Sequence, residues 1–197
     1  MNSTLPAVAI AGAAGRMGRS LVELGHQATD LRVVAAFEAP DNPLIGQDVG
    51  AIAGIGAIGI PLTSDAAMAD VDFDVLIDFT TVDASLAHLD TCVKAGRRVV
   101  IGTTGFGARR AAIDAAAAQV GIVFAPNMSV GVNLCFKLLQ LAARVLGDEF
   151  DVEVIEAHHR HKVDAPSGTA VRMGEILAAE FGRDLASCAV YGRQGHT

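Results

Sequence analysis

The chain has 197 residues, 51% of them hydrophobic and 19% charged, with no Trp and a formal net charge of -7. That acidic balance excludes a general nucleic-acid binder, whose phosphate contacts need a basic face. The three cysteines, Cys92, Cys135 and Cys188, are odd in number and lack CxxC spacing; they read as reduced, buried thiols rather than a disulfide framework or a zinc site. Neither a signal peptide nor a spanning segment opens the chain, so a soluble, cytoplasmic protein is expected.

In chain order, the first two thirds alternate short β-rich runs with helical patterns, as in a parallel sheet with crossover helices. Ala7-Val8-Ala9-Ile10-Ala11 is an unbroken apolar run, suited to a strand buried on both faces. From Arg16, helical spacing puts Met17, Leu21, Leu24 and Ala28 on one stripe. A second strand runs from Val33 to Phe37 and ends at Glu38. Residues 39–60, rich in Gly and Pro, read as a mobile excursion. Val75–Phe79 is the next strand; Thr80 and Asp83 form a capping box for the helix that Gly96 closes. Arg98–Ile101 and Gly121–Phe124 give two more strands around an Ala-rich helix. Ser129 caps a helix to about Leu146 that is apolar nearly all round, so it is expected to be buried between layers or domains. Val152–Ala157 reads as one mixed-polarity strand, and Ala170, Met173, Gly174, Leu177, Ala178 and Phe181 mark an amphipathic helix. The expected architecture is α/β: a Rossmann-type doubly wound parallel sheet over 1–128 and a smaller mixed α/β domain over 129–197. That second domain is expected to be incomplete, because the polar loop from Tyr191 offers no element to finish its sheet.

Gly12-Ala13-Ala14-Gly15-Arg16-Met17-Gly18 joins the first strand to the first helix, where a phosphate-binding turn belongs. Gly12 permits the tight turn, Gly15 lets backbone N–H groups approach a pyrophosphate, and Gly18 permits close helix–strand packing. Glu38 ends the second strand, where a carboxylate accepts from ribose hydroxyls. A glycine turn that merely joins two elements is the competing reading. Phe79-Thr80, Gly102-Thr103-Thr104-Gly105 and Ala125-Pro126-Asn127-Met128 occupy the same carboxyl edge of the sheet. Together they suit a nicotinamide ribose and carboxamide; singly, each is ordinary turn chemistry.

The segment His158-His159-Arg160-His161-Lys162 is an unusual cationic cluster for an acidic chain, and Asp164-Ala165-Pro166-Ser167-Gly168-Thr169 follows it closely. Arg and Lys supply fixed charge, and His titrates nearest neutral pH, so a small anion that must be held and protonated would explain the group. If the chain stays extended, His158, Arg160 and Lys162 share one face and His159 and His161 the other. Ser167 is a good N-cap, leaving the Gly168 and Thr169 amides for an anion. The plainer alternative is a solvated basic turn pairing with Glu153, Glu156 and Asp164. A metal is not expected: His-His-x-His lacks the helical i,i+4 pair, and no Cys or carboxylate is placed to finish a site.

With those residues in view, the chain resembles the bacterial 4-hydroxy-tetrahydrodipicolinate (dihydrodipicolinate) reductases of the diaminopimelate route to lysine. The resemblance rests on Val8–Gly18, on Ile77-Asp78-Phe79-Thr80 with Val100–Gly105, and above all on Glu153–Ala170. It runs over essentially all 197 residues in order, and family members extend well beyond Thr197. It implies reduction of a cyclic dicarboxylate with NADH or NADPH in a homotetramer. By that likeness His158 is the proton donor and acceptor and Lys162 a second proton donor, while His159, Gly168 and Thr169 hold a substrate carboxylate. Gly12, Ala13, Ala14, Gly15, Arg16, Met17, Glu38, Gly102, Thr103, Thr104, Ala125, Pro126, Asn127 and Met128 line the dinucleotide. Two departures matter. Ala39 stands where some members carry an Arg for the 2′-phosphate of NADPH, so with Glu38 repelling that phosphate NADH is the expected preference; Arg16 keeps NADPH use open. Met128 replaces an expected aromatic after Asn127, a tolerable packing change. Two rival readings are another nicotinamide-dependent amino-acid or imine dehydrogenase, which should lack the cationic block, and an NADH-sensing regulator, which would need a basic DNA-reading helix that is not evident.

Overall fold

The computed structural model describes residues 5–158, 160, 162, 164–192 and 195–196, and the chain divides after Ala125 into two compact units. The first holds a six-stranded parallel sheet in the order β3-β2-β1-β4-β5-β6, built from β1 (Ala7–Ala11), β2 (Arg32–Glu38), β3 (Leu62–Ser64), β4 (Val75–Asp78), β5 (Arg98–Ile101) and β6 (Ile122–Phe124). Helices α1 (Arg16–Gln27), α2 (Val49–Ala53), α3 (Val82–Lys94) and α4 (Arg110–Ala116) connect them. The order reverses between β1 and β4, so a crevice lies beyond their carboxyl ends, where open α/β sheets bind ligands.

Alternation along the strands builds the core. Ala9, Ala11, Phe37, Leu76, Val99 and Ile101 pack with Leu89 and Cys92 of α3 and Ile113 of α4, and Ile10 and Ala36 pack with Val22 of α1 and Val49 of α2. Asp74 accepts from the Ala7 N–H at 2.7 Å, tying the start of β1 to the start of β4.

Three expectations for this unit, and one on the cysteines that spans both units, need correction. Residues 39–60 are ordered: Asp48 caps α2 through the Gly50 and Ala51 N–H groups (2.8 and 3.2 Å). It also gathers the returning chain through the Ile58 and Gly59 N–H groups (3.0 and 2.7 Å). One carboxylate thus organises a glycine-rich loop whose periodicity carries no helical signal. The Ile58 N–H first, then those of Ala51, Gly59 and Gly50, holds the Asp48 carboxyl below its ordinary pKa against the opposing effect of burial. The buried positions of α1 are Gly18 and Val22, and Met17 and Leu24 are exposed; the tight approach that Gly18 allows rotates the stripe by one residue. Helix α3 is capped by Thr81, which accepts from the Ala84 N–H at 3.4 Å, because Thr80 is engaged by Asp78. Of the cysteines only Cys92 is buried; Cys135 and Cys188 sit on exposed helix faces. Burial pushes the Cys92 thiol up to about 11.

The second unit contains α5 (Val130–Leu146), β7 (Asp164–Ala165), α6 (Gly168–Glu180), α7 (Leu185–Cys188) and β8 (Gly195–His196). Gln140 and Arg144 of α5 converge on the Glu180 carboxylate of α6, with contacts between 2.6 and 3.1 Å, and Leu185 of α7 lies against Gly174. Residues 152–157 are not a strand: a β conformation persists only with a ladder partner, and Val152, Val154 and Ile155 are exposed. The only strand pairing among the described residues here is antiparallel, β7 with β8, so the closing loop does supply an element. Helix α5 is capped by Ser129 as expected, yet it is not buried. Phe136 and Ala143 are covered, whereas Leu134 (57% exposed), Leu138, Leu141 and Val145 (76%) are not. The sequence encodes an all-round apolar helix, and the elements present cover one side of it.

Candidate functional site

At the carboxyl end of β1 the chain turns at Gly12, whose φ of 68° is left-handed and so suits glycine. The Gly15 N–H donates to the Gly12 carbonyl at 3.0 Å and the Ala13 N–H to the Phe37 carbonyl at 3.1 Å, fixing the turn against β2. Gly18 admits no side chain, because a Cβ there would overlap the Gly12 carbonyl and the Ala13 backbone. Ala13 is buried, Ala14 half-buried, and Gly15, Arg16 and Met17 are exposed at the start of α1. Glu38 closes the arrangement: its carboxylate accepts from the Ala14 N–H at 3.1 Å and from the Ala39 N–H at 3.2 Å. The sequence reading missed Arg19, whose Nε donates to the Ala14 carbonyl at 2.8 Å and lays a guanidinium against the turn; its place three residues into α1 was the available clue.

Beside it, the ends of β4 and β5 are organised by a buried acid that sequence reasoning also passed over. Asp78 is fully buried. Its Oδ1 accepts from the Thr80 N–H (2.9 Å), the Thr80 hydroxyl (2.6 Å), the Ser85 hydroxyl (2.9 Å) and, at 3.4 Å, the Thr103 hydroxyl. Its Oδ2 lies 2.8 Å from Nδ1 of His88, whose Nε2 is 3.4 Å from Asp65. Burial would raise the Asp78 carboxyl, but the bonds from His88 and Thr80 outweigh it and hold the group below its ordinary value. Burial likewise works to lower the His88 ring, and Asp78 and then Asp65 overcome it and raise the ring. The clue was an acid in an otherwise apolar strand, with Ser85 and His88 one helical turn apart on α3. Thr103 is buried with its hydroxyl oxygen 2.8 Å from that of Ser85, so it turns inward, whereas Thr104 is exposed. The Phe79 ring lies against Gly102. The Ala125 N–H continues the ladder to the Ile101 carbonyl at 3.3 Å. The structure therefore brings Gly12 to Met17, Glu38, Phe79, Thr80, Gly102 to Thr104 and Ala125 to one edge.

In the second unit, Pro126 and Met128 are exposed and Asn127 half-buried. The Asn127 side-chain oxygen accepts from the Ser129 N–H at 2.9 Å, and Asn133 donates to the Asn127 carbonyl at 3.0 Å, so this stretch is a tightly bonded lead into α5. Ser167 caps α6 through the Ala170 N–H at 3.1 Å, which places Gly168 and Thr169 at the first positions of a 13-residue helix. Glu156 accepts from the Ser167 N–H at 2.8 Å and its other oxygen lies 3.5 Å from Nδ1 of His158. No hydrogen-bond donor among the described residues reaches that second, buried oxygen. The two Ser167 contacts first, then the charges of His158 and Lys162, hold the Glu156 carboxyl below its ordinary pKa against the effect of burial. Residues 152–157 are no strand and Arg160 lies in a turn, so nothing among the described residues supports one extended face shared by His158, Arg160 and Lys162. His159 and His161 lie outside the described residues.

Comparison with known proteins gives concordant results. The family model described as "Dihydrodipicolinate reductase, N-terminus" matches residues 6–128, and that described as "Dihydrodipicolinate reductase, C-terminus" matches residues 131–196. A 4-hydroxy-tetrahydrodipicolinate reductase of Methylococcus capsulatus is 54% identical over 189 residues, which is 95% of this chain and 70% of that protein. A dipicolinate-bound dihydrodipicolinate reductase from Paenisporosarcina sp. TG-14 superposes with a TM-score of 0.70 at 29% identity, covering 89% of this chain and 66% of that one. A myo-inositol 2-dehydrogenase from Lactobacillus plantarum, at 17% identity and a TM-score of 0.52 over 71% of this chain and 42% of its own, shares the fold alone. No helix among the described residues is long and apolar enough to cross a membrane.

Proposed function

The chain belongs to the dihydrodipicolinate reductase family, and from that premise we propose that it is an oxidoreductase reducing 4-hydroxy-tetrahydrodipicolinate to tetrahydrodipicolinate with a reduced nicotinamide dinucleotide, in the diaminopimelate route to lysine. The observation that carries this reading is that Glu38 sits on the Ala14 amide of the glycine turn, so an acceptor for ribose hydroxyls and a cradle for phosphate are one bonded unit.

The residues present fit a dinucleotide: the Gly12 turn is left-handed, α1 begins with exposed backbone at Gly15 and Arg16, and Phe79, Thr80 and Gly102 line the neighbouring edge. The cofactor, when bound, supplies the hydride. The chain's own residues do the rest. Glu38 holds the adenosine ribose and repels a 2′-phosphate, and Ala39 offers no counter-charge, so NADH is the preferred cofactor and NADPH the weaker one. The Gly168 and Thr169 amides, with Lys162 and His159, hold a substrate carboxylate. Loss of the 4-hydroxyl as water leaves a ring double bond conjugated to the imine, hydride adds at the far carbon of that double bond, and Lys162 stabilises the negative charge that develops. His158 then delivers a proton to the enamine. Glu156 faces Nδ1 of His158, which leaves Nε2 as the ring nitrogen for that transfer.

Homotetrameric assembly and a cytoplasmic location belong to the same proposal. Leu134, Leu138, Leu141 and Val145 follow the i, i+4, i+7, i+11 spacing of a helix-packing seam and are exposed, which supports assembly. The test is a titration of the protein with NADH and NADPH, with and without pyridine-2,6-dicarboxylate as a planar substrate mimic. Tighter NADH than NADPH binding, enhanced by the dicarboxylate, is expected. Dinucleotide binding indifferent to the dicarboxylate would point to a different dehydrogenase or a sensor.

A further inference from the structure

The Asp78–His88 pair is absent from the chemistry just described, yet it is the most deeply buried charged assembly among the described residues. A buried carboxylate carries a desolvation cost that apolar packing would avoid, and its neighbours Leu76, Leu89 and Val99 show that this layer is otherwise apolar. Its bonding partners indicate what the acid does. Four of the five groups that contact Asp78 are Thr80, by its N–H and its hydroxyl, and Ser85 and Thr103, by their hydroxyls. Thr80 and Thr103 open the two turns at the carboxyl ends of β4 and β5. Thr80 also reaches the glycine turn: its Cγ2 is the nearest neighbour that a Cβ on Gly12 would meet, at 2.8 Å. A continuous line of contacts thus runs from His88 through Asp78 and Thr80 to Gly12.

We propose that His88 is a positioning residue for the dinucleotide, acting through Asp78 to orient Thr80 against the Gly12 turn and to hold Thr103 inward. The inference rests on the dinucleotide-binding reading of that edge. Its physical content is a hydrogen-bond assignment. The Thr80 hydroxyl spends its one hydrogen on Asp78 at 2.6 Å and has the Ser85 hydroxyl 3.3 Å away, so its oxygen keeps a lone pair for a donor on a ligand, such as a carboxamide or a ribose hydroxyl. If the His88 bond is removed, Asp78 loses the partner that fixes its carboxylate plane, and Thr80 loses that orientation. His88 touches neither substrate nor cofactor and enters no proton transfer. The effect therefore falls on ground-state cofactor binding, not on the chemical step.

The test compares His88→Asn with His88→Gln. Asn places its amide nitrogen near the position of Nδ1 and keeps the donor to Asp78. Gln reaches toward the Nε2 position and does not. NADH affinity is read by fluorescence on the whole chain, with KM and kcat from steady-state turnover and Tm from thermal melts. The expected result is an NADH Kd and KM raised about tenfold in the Gln variant with kcat within about twofold, and near wild-type values in the Asn variant. Equal cofactor affinity in both variants, whether wild-type or weakened, overturns the proposal, as does a fall in kcat with unchanged KM. Wild-type protein that binds no dinucleotide would instead defeat the underlying reading. The two failures are therefore separable.

Discussion

Replacing Asp78 tests the energetics of this network directly. In Asp78→Leu the hydroxyls have other partners: Ser85 can turn wholly to Thr103 at 2.8 Å, and Thr80 to the Thr81 carbonyl at 3.4 Å. The Thr80 N–H and the His88 Nδ1 have no such substitute and are stranded. Each stranded polar group costs about 1–3 kcal/mol, so the gross loss is about 2–6 kcal/mol. Relief of the buried charge offsets part of that, leaving about 3 kcal/mol. Asp78→Asn keeps an oxygen for Thr80 and Ser85. It turns its amide to a neutral His88, whose Nε2–H faces Asp65. Only the charge assistance is lost, and about 1 kcal/mol is expected. Urea unfolding at neutral pH, followed by far-ultraviolet circular dichroism, measures both. Adding His88→Leu to Asp78→Leu removes one of the stranded polar groups, so the second substitution should cost less there than in wild type by about 1 kcal/mol. An Asn variant no more stable than the Leu variant, or strictly additive costs in the double variant, refutes the assignment.

Two other expectations follow from the same geometry. The Asp48 carboxyl is held below its ordinary value by the Ile58 amide and its neighbours. Its stabilisation is therefore full above the ordinary carboxylate pKa of about 3.9 and is lost as pH falls through the lower folded value. The stability gap between wild type and Asp48→Ala in urea should narrow between pH 7 and pH 3, and a constant gap would count against this account. Lys162→Ala should lower kcat by about 10²–10⁴-fold, the range for losing a positioned proton donor or charge stabiliser, with Tm little changed. Unchanged kcat with a lower Tm would remove Lys162 from the chemistry.

The parallel sheet and the glycine turn were legible because their determinants are local. Five consecutive apolar residues at Ala7–Ala11 suit a strand buried on both faces, and Gly12, Gly15 and Gly18 follow at the spacing a phosphate turn requires. The Ser129 and Ser167 caps were legible for the same reason: an N-cap bonds within three residues of itself. The sequence also brought Glu38 to the edge, because strand length alone sets where β2 ends.

What the sequence did not disclose depends on residues far apart in the chain. Asp48 orders residues 39–60 by collecting amides ten and eleven residues away, and no window of periodicity contains that. Asp78 meets Thr103 across 25 residues and the His88–Asp65 contact spans 23, so the brace beneath the site exists only once β4, β5 and α3 are packed. The strand read at 152–157 failed for the converse reason: alternation makes a segment capable of β structure, but a ladder partner decides whether it forms. For α5, residue type alone settled that the helix is apolar on every side; which sides are covered was decided by the elements that pack there, and these reach only Phe136 and Ala143 fully. Covalent order along the chain thus fixed the strands, turns and caps, while charge burial and packing across distant segments decided how the candidate site is held.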